Sequence, residues 1–253
     1  MREVADLRNE NKWYRKADGS LITPYQIYGR AKGYPELFYC EGSTISLKGS
    51  TTRKIAFERT SKQHVRISQN TVKDSVLVEK MLMNKQNFKS AKDVDGFVPQ
   101  ASGLYCIRIK NVHLLPEPFG TILLERGHDI LYIGIASENL YNRFLNQELR
   151  AKGHGTFFRS MGAVLGYKPP KGSLIEKRNK KNYKFSKTDE LKIIGWINEN
   201  LMVNWVESAG DLDSLETSLI VKYLPLLNLS KNPAALQILS YLRKECVEIA
   251  NRN

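Results

Sequence analysis

The chain has 253 residues, 42% of them hydrophobic, which suffices for one large domain or two modest ones with a proper core. Its three cysteines (Cys40, Cys106 and Cys246) form no CxxC pair and no zinc spacing, which excludes a disulfide framework or a cysteine zinc site. No run of about 18 apolar residues exists and residues 1–16 have no apolar core segment, so no membrane and a cytoplasmic location are expected. The formal net charge of +13 favours polyanionic partners, nucleic acid first.

In chain order, residues 1–36 show turn signals such as Asp18-Gly19 and Pro24. Short alternating runs at 38–43, 44–50, 54–59 and 64–68 read as strands. A helix follows from Asp74 to about Asn84, with apolar residues at helical spacing. The polar stretch 90–100, with Gly96 and Pro99, reads as a linker. The expected organisation is therefore a β-rich basic N-terminal region over 1–95 and a second domain over 96–253. The N-terminal strands suit base reading in a DNA groove, a protein-interaction module or a stabilising cap, and no motif chooses among these.

From Gly103 the pattern sharpens. Residues 103–109 alternate as a strand, with Tyr105, Ile107 and Ile109 on one face. Residues 130–135 form a second strand. The intervening segment reads as an extended hairpin with its own short strand over Thr121–Glu125. A helix follows Ser137 to about Arg150, with Leu140, Phe144 and Leu149 facing the core, and another spans 156–165. The stretch Lys171–Lys187 carries seven basic residues against Glu176 alone, so it is either a solvated surface loop or a DNA-contacting one. Ser186 and Asp189 form a capping box that opens a helix to about Asn200. A third strand covers 202–207. Asp211 or Asp213 caps a helix that Pro225 stops after Leu224, with Leu212, Leu215 and Leu219 as its buried stripe. The tail, Ala234–Arg252, is amphipathic.

Gly103-Leu104-Tyr105, Tyr132-Ile133-Gly134, Arg143, Glu216 and Asn228 together resemble the GIY-YIG nuclease pattern, in order and in setting. The resemblance spans about residues 100–240 and implies an α+β fold, a small three-stranded antiparallel sheet flanked by helices. It implies metal-dependent hydrolysis of DNA phosphodiesters with Mg²⁺ or Mn²⁺ on Glu216, Arg143 offsetting charge on the phosphate, and one of Tyr105 and Tyr132 helping to activate water. Asn228 would secure the phosphate or the tyrosine–glutamate network. The motif tyrosines stand 27 residues apart, which is similar to the restriction-endonuclease branch. A restriction or phage-defence enzyme is expected, with DNA as partner. Cutting two strands calls for two active sites, hence a homodimer on DNA. The alternatives are a structure-selective repair or mobile-element nuclease and a catalytically silent DNA-binding module.

Read from the residues alone, each candidate has a plainer role. Glu216 lies four residues after Leu212 and three before Leu219, so it sits on or beside a buried stripe and needs a cation or donors. That cation is a metal ion or Arg143. Arg143 at a core edge can fork onto phosphate or simply snorkel to the surface. The tyrosines serve equally as aromatic core, and a phenol passes a proton only if a nearby cation lowers its pKa. Asn228 is otherwise a turn residue after Pro225. Of lesser rank are His154, between Gly153 and Gly155, as a phosphate donor or proton carrier, and Arg159 as a phosphate contact. Lys152, Lys177, Arg178, Lys180 and Lys181 complete the expected DNA-contacting set. Some family branches place a histidine four residues after the motif arginine; here that position is Gln147.

Overall fold

A computed structural model describes residues 38–41, 44–47 and 75–252. The chain divides into two compact units, Met1–Thr60 and Ser61–Asn253. In the first, β1 (Phe38–Glu41) and β2 (Thr44–Leu47) pair antiparallel, with Phe38 opposite Leu47 and Glu41 opposite Thr44. The runs expected as strands at 54–59 and 64–68 lie outside the described residues.

The second unit holds a four-stranded, wholly antiparallel sheet among seven helices. Its strands are β3 (Lys89–Ser90), β4 (Gly103–Ile109), β5 (Ile130–Ala136) and β6 (Leu201–Glu207), in the spatial order β3-β6-β4-β5. The helices are α1 (75–83), α2 (Phe119–Glu125), α3 (Tyr141–Leu149), α4 (Thr156–Val164), α5 (Lys187–Asn200), α6 (Leu212–Tyr223) and α7 (Gln237–Asn251). Among the described residues no helix is long and apolar enough to cross a membrane.

Alternation along β4 survives, but both faces are covered. Tyr105, Ile107 and Ile109 enter the larger core with Phe144, Phe157 and Phe158, while Leu104 and Cys106 enter a smaller one with Leu82, Val206, Leu219 and Ile220. A bulge sits where Arg108 pairs with Ile130 but Ile107 with Tyr132, so Leu131 is the extra residue. Leu131 and Tyr132, though adjacent, therefore both reach the larger core.

The segment expected as a strand at Thr121–Glu125 is instead part of α2. Phe119, Gly120 and Leu123 are buried, a helical stripe that outweighs the β-branched Thr121 and Ile122. The stretch read as a linker is packed as well. Ala91, Val94 and Val98 recur at i, i+3 and i+7 and are buried in the larger core. Asn204 on β6 donates to the carbonyls of Met81 and Leu82 at 2.9 and 2.8 Å, tying the end of α1 to the sheet. Residues 75–98 thus share the core of the second unit.

The expected caps are present. Ser186 accepts from the Asp189 amide at 3.1 Å, and Asp211 accepts from Ser214 at 3.1 Å. Helix α6 stops at Leu224, in the left-handed conformation before Pro225. Beyond it the chain runs along the open edge of β5. The Leu226 and Leu227 amides donate to the Ile130 and Leu131 carbonyls. Arg126 pins this turn through the carbonyls of Leu224, at 2.6 Å, Pro225 and Ala234.

Candidate active site

The two glycines of the paired tripeptides are explained by close approach. A Cβ on Gly103 would strike the Val206 carbonyl of the neighbouring strand, and one on Gly134 would lie 2.5 Å from the Tyr105 hydroxyl and 2.8 Å from the Tyr132 ring. Gly134 sits directly opposite Tyr105 across the β4–β5 ladder, while Tyr132 opposes Ile107. The tyrosines are diagonal neighbours on one sheet face, and the bare glycine lets the Tyr105 ring lie across β5. Their ring centroids are 6.2 Å apart, and Tyr105 also stacks on Phe144 at 4.7 Å.

Arg143 and Glu148 lie on α3, whose backbone is wound with i→i+5 hydrogen bonds, as from the Arg150 amide to the Leu145 carbonyl. This wider winding brings residue i+5 closer to residue i than an α-helix does, and such turns recur at functional sites. Arg143 donates to Gln147 at 3.0 Å and pairs with Glu148 at 3.1 Å. Gln147 therefore holds the arginine rather than standing in for a histidine base. Glu148 is wholly buried and also accepts from the Tyr105 hydroxyl at 3.4 Å and the Phe158 amide at 3.2 Å. Room for it comes from Gly155, whose missing Cβ would overlap its carboxylate. The close backbone approach expected at this glycine thus serves a side chain of the protein itself.

Electrostatics binds these groups into one site. Burial raises the Glu148 pKa despite Arg143 and the Phe158 amide. Burial, then Glu148, pushes both phenols well above their ordinary value, outweighing Arg143. Neither tyrosine is a phenolate at neutral pH, so neither has the lowered pKa that proton transfer by a phenol calls for. Burial works against the Arg143 charge, but Glu148, the two tyrosines and Glu216 hold its pKa up. Glu216 thus acts on Arg143 and on both tyrosines from α6, a helix whose apolar residues fill the opposite core.

The Glu216 side chain is 13% exposed, and the cation beside it is Lys231, 2.7 Å from Oε2; among the described residues its Oε1 makes no hydrogen bond. Lys231 also pairs with Asp213. Among the described residues no group of three His, Cys, Asp or Glu gathers here. A single carboxylate with one free oxygen fits a hard divalent ion that takes its other ligands from phosphate and water. It does not fit zinc, which wants three or four protein ligands.

Asn228 is buried and spends both ends of its amide on one β5 residue. It accepts from the Ile133 amide at 3.0 Å and donates to the Ile133 carbonyl at 2.8 Å. It acts as a one-residue strand clamped beside Tyr132. His154 is buried in the left-handed region, edge-on to Phe158, with Nε2 3.3 Å from Glu190. Burial lowers its pKa to about 4. Among the described residues it makes no contact with Tyr105, Tyr132, Arg143 or Glu216.

Arg159 lies on α4, only 8% exposed and without a carboxylate partner. Of the basic loop, Arg178, Lys180 and Lys181 line an open groove with Asn179. Lys177 and Arg178 line a second groove beside it. The Lys180 ammonium is spent on the Leu174 and Ile175 carbonyls. Buried Leu174, Tyr183 and Phe185 anchor the loop, while Lys152 is exposed in the α3–α4 turn. Sequence reasoning missed Glu148, because on an α-helix it would not face Arg143, and Lys231, which only the turn after Asn228 brings to Glu216.

Among curated proteins and solved structures, none matches the chain. A family model, the GIY-YIG catalytic domain, matches residues 103–245, which include every residue of this constellation. With more than half of its length matched, the chain belongs to the GIY-YIG family of nucleases.

Proposed function

We propose that the chain is a metal-dependent DNA endonuclease of restriction or phage-defence type, with Glu216 as the ligand of Mg²⁺ or Mn²⁺. The observation that carries this reading is the convergence of Arg143, Tyr105 and Tyr132 within electrostatic reach of a carboxylate with a free oxygen. A divalent ion bound to Glu216 would stabilise negative charge on the departing oxygen. The partly exposed Arg143, its pose fixed by Gln147 and Glu148, offsets charge on the attacked phosphate. Tyr105 is committed to Glu148, whereas the Tyr132 hydroxyl makes no hydrogen bond among the described residues. Tyr132 is therefore assigned to orienting the attacking water, as a neutral hydrogen-bonding group. Asn228 positions Tyr132 through the β5 backbone, and His154 has a structural part.

The restriction assignment is supported by the 27-residue interval between the tyrosines, filled by α2, and by the basic stretch after α4. Lys152, Lys177, Arg178 and Lys181 are assigned to the DNA backbone, and residues 1–95 to base reading. A homodimer on DNA would supply one site per strand. Sequencing the ends of plasmid digested with Mg²⁺ tests all of this together. Uniform ends at one sequence are expected. Random nicking, or preference for branched over linear DNA, would overturn the restriction reading, and absence of cutting with every divalent metal would overturn the nuclease.

A further inference from the structure

A second cationic feature lies beside this constellation. Arg159 on α4 is almost wholly buried, yet among the described residues its guanidinium makes no hydrogen bond and no ion pair, and its Nε is shut off from solvent. Burying a charge without a counter-ion is costly and uncommon. The nearest aromatic support is Tyr183, whose ring centre is 6.0 Å from the guanidinium carbon. Across α7, Arg243 stands 5.8 Å from the same ring. Its Nη1 donates to the Thr156 carbonyl at 3.1 Å and to Ser160 at 2.7 Å, both on α4, while its Nε is likewise buried without a partner. Burial, and after it the neighbouring Arg243, weigh against the charge on Arg159. A carboxylate within electrostatic reach of Arg159 is Glu148, whose oxygens are already held by Arg143, Tyr105 and Phe158.

Two arginines whose N–H groups are not all used, both within 6.0 Å of the Tyr183 ring centre, can form a fork for a tetrahedral oxyanion. The two residues before Arg159 reach the reacting groups, Phe157 with its ring 5.7 Å from that of Tyr132 and Phe158 with its amide on Glu148 at 3.2 Å, which places the fork next to them. We infer that Arg159 and Arg243 together form a second phosphate seat, which holds a phosphodiester of the same DNA strand neighbouring the one that is cut. Arg243 thereby becomes a DNA-positioning residue contributed by the C-terminal helix. The assignment rests on the nuclease reading for the identity of its ligand.

The test is binding of a short DNA duplex to the full chain without divalent metal, followed by fluorescence anisotropy across a range of salt. Arg159→Gln and Arg243→Gln should each weaken binding about tenfold and reduce the slope of log affinity against log salt by about one. Arg243→Lys, which keeps the charge but loses the fork, should keep the slope and lose part of the affinity. A duplex series with one neutral methylphosphonate at each position should contain one linkage, beside the cut, that weakens the native chain but not Arg243→Gln. Such coupling is not produced by a merely structural arginine, and melting curves identify any variant that fails to fold. Native slope and affinity in both glutamine variants would overturn the seat even if the enzyme cuts DNA. Coupled losses without cutting under any metal would sustain the seat and sink the nuclease reading.

Discussion

The interior of the site and its rim are built on opposite principles. In the interior, Tyr105, Glu148 and Asn228 are tied to one another, to Arg143 or to the backbone. At the rim, Glu216 keeps one oxygen free of hydrogen bonds among the described residues, and Lys152 and Lys181 stand in solvent. A buried polar group without a partner costs stability, so the interior is closed by necessity. The rim retains unmet bonding capacity, which a substrate can complete. Substitutions at the rim should therefore remove activity and leave the fold, and those in the interior should weaken the fold itself.

The largest effect should come from the rim. Glu216→Ala should lower DNA cleavage on the order of 10³-fold, about 4 kcal/mol of barrier, with a melting temperature near that of the native chain. A large drop in melting temperature would move Glu216 to the interior class and break the contrast.

His154 tests the interior through pH. Its folded pKa, about 4, lies below the ordinary value of 6.5. The unfolded chain thus binds a proton more readily, and the stability from this group is fully present above about pH 6.5 and is lost as pH falls toward 4. The loss should approach ~3 kcal/mol. Denaturant titrations of the native chain and of His154→Phe measure it, and parallel pH profiles for the two would show that another group governs acid sensitivity.

Asn228→Ala should cost about 2 kcal/mol, because the Ile133 amide and carbonyl lose their side-chain partners. Urea unfolding reads this directly. An unchanged midpoint with lost cleavage would place Asn228 at the rim, in contact with substrate. Lys181→Ala should do least, weakening DNA binding a few-fold with a salt slope lower by about one. A native slope would leave the basic loop as a solvated surface.

The sequence carried the parts of this contrast that depend on local pattern. Alternation located β4 and β5, capping residues located α5 and α6, and five separated residue types pointed to the shared site. What stayed hidden depends on winding and on distant packing. The pairing of Glu148 with Arg143, five residues back, depends on the i→i+5 winding of α3. The Glu216 partner, Lys231, and the Arg159 neighbour, Arg243, follow from how a turn and a terminal helix fold back. The apolar residues of α2 and of 91–98 are sparse enough that a strand and a linker read equally well.

The course of residues 226–228 along β5 also bears on assembly. Through two amides and the Asn228 side chain, this segment occupies the hydrogen-bonding groups of Ile130, Leu131 and Ile133. At the other end of the sheet, β3 offers only two residues. A second copy therefore has no long bare strand on which to extend this sheet. Two copies acting together on a duplex would have to meet through helical surfaces, through the N-terminal unit or across the DNA itself. Each copy would then keep its own sheet, and the separation of the two cuts would be set by the spacing between bodies.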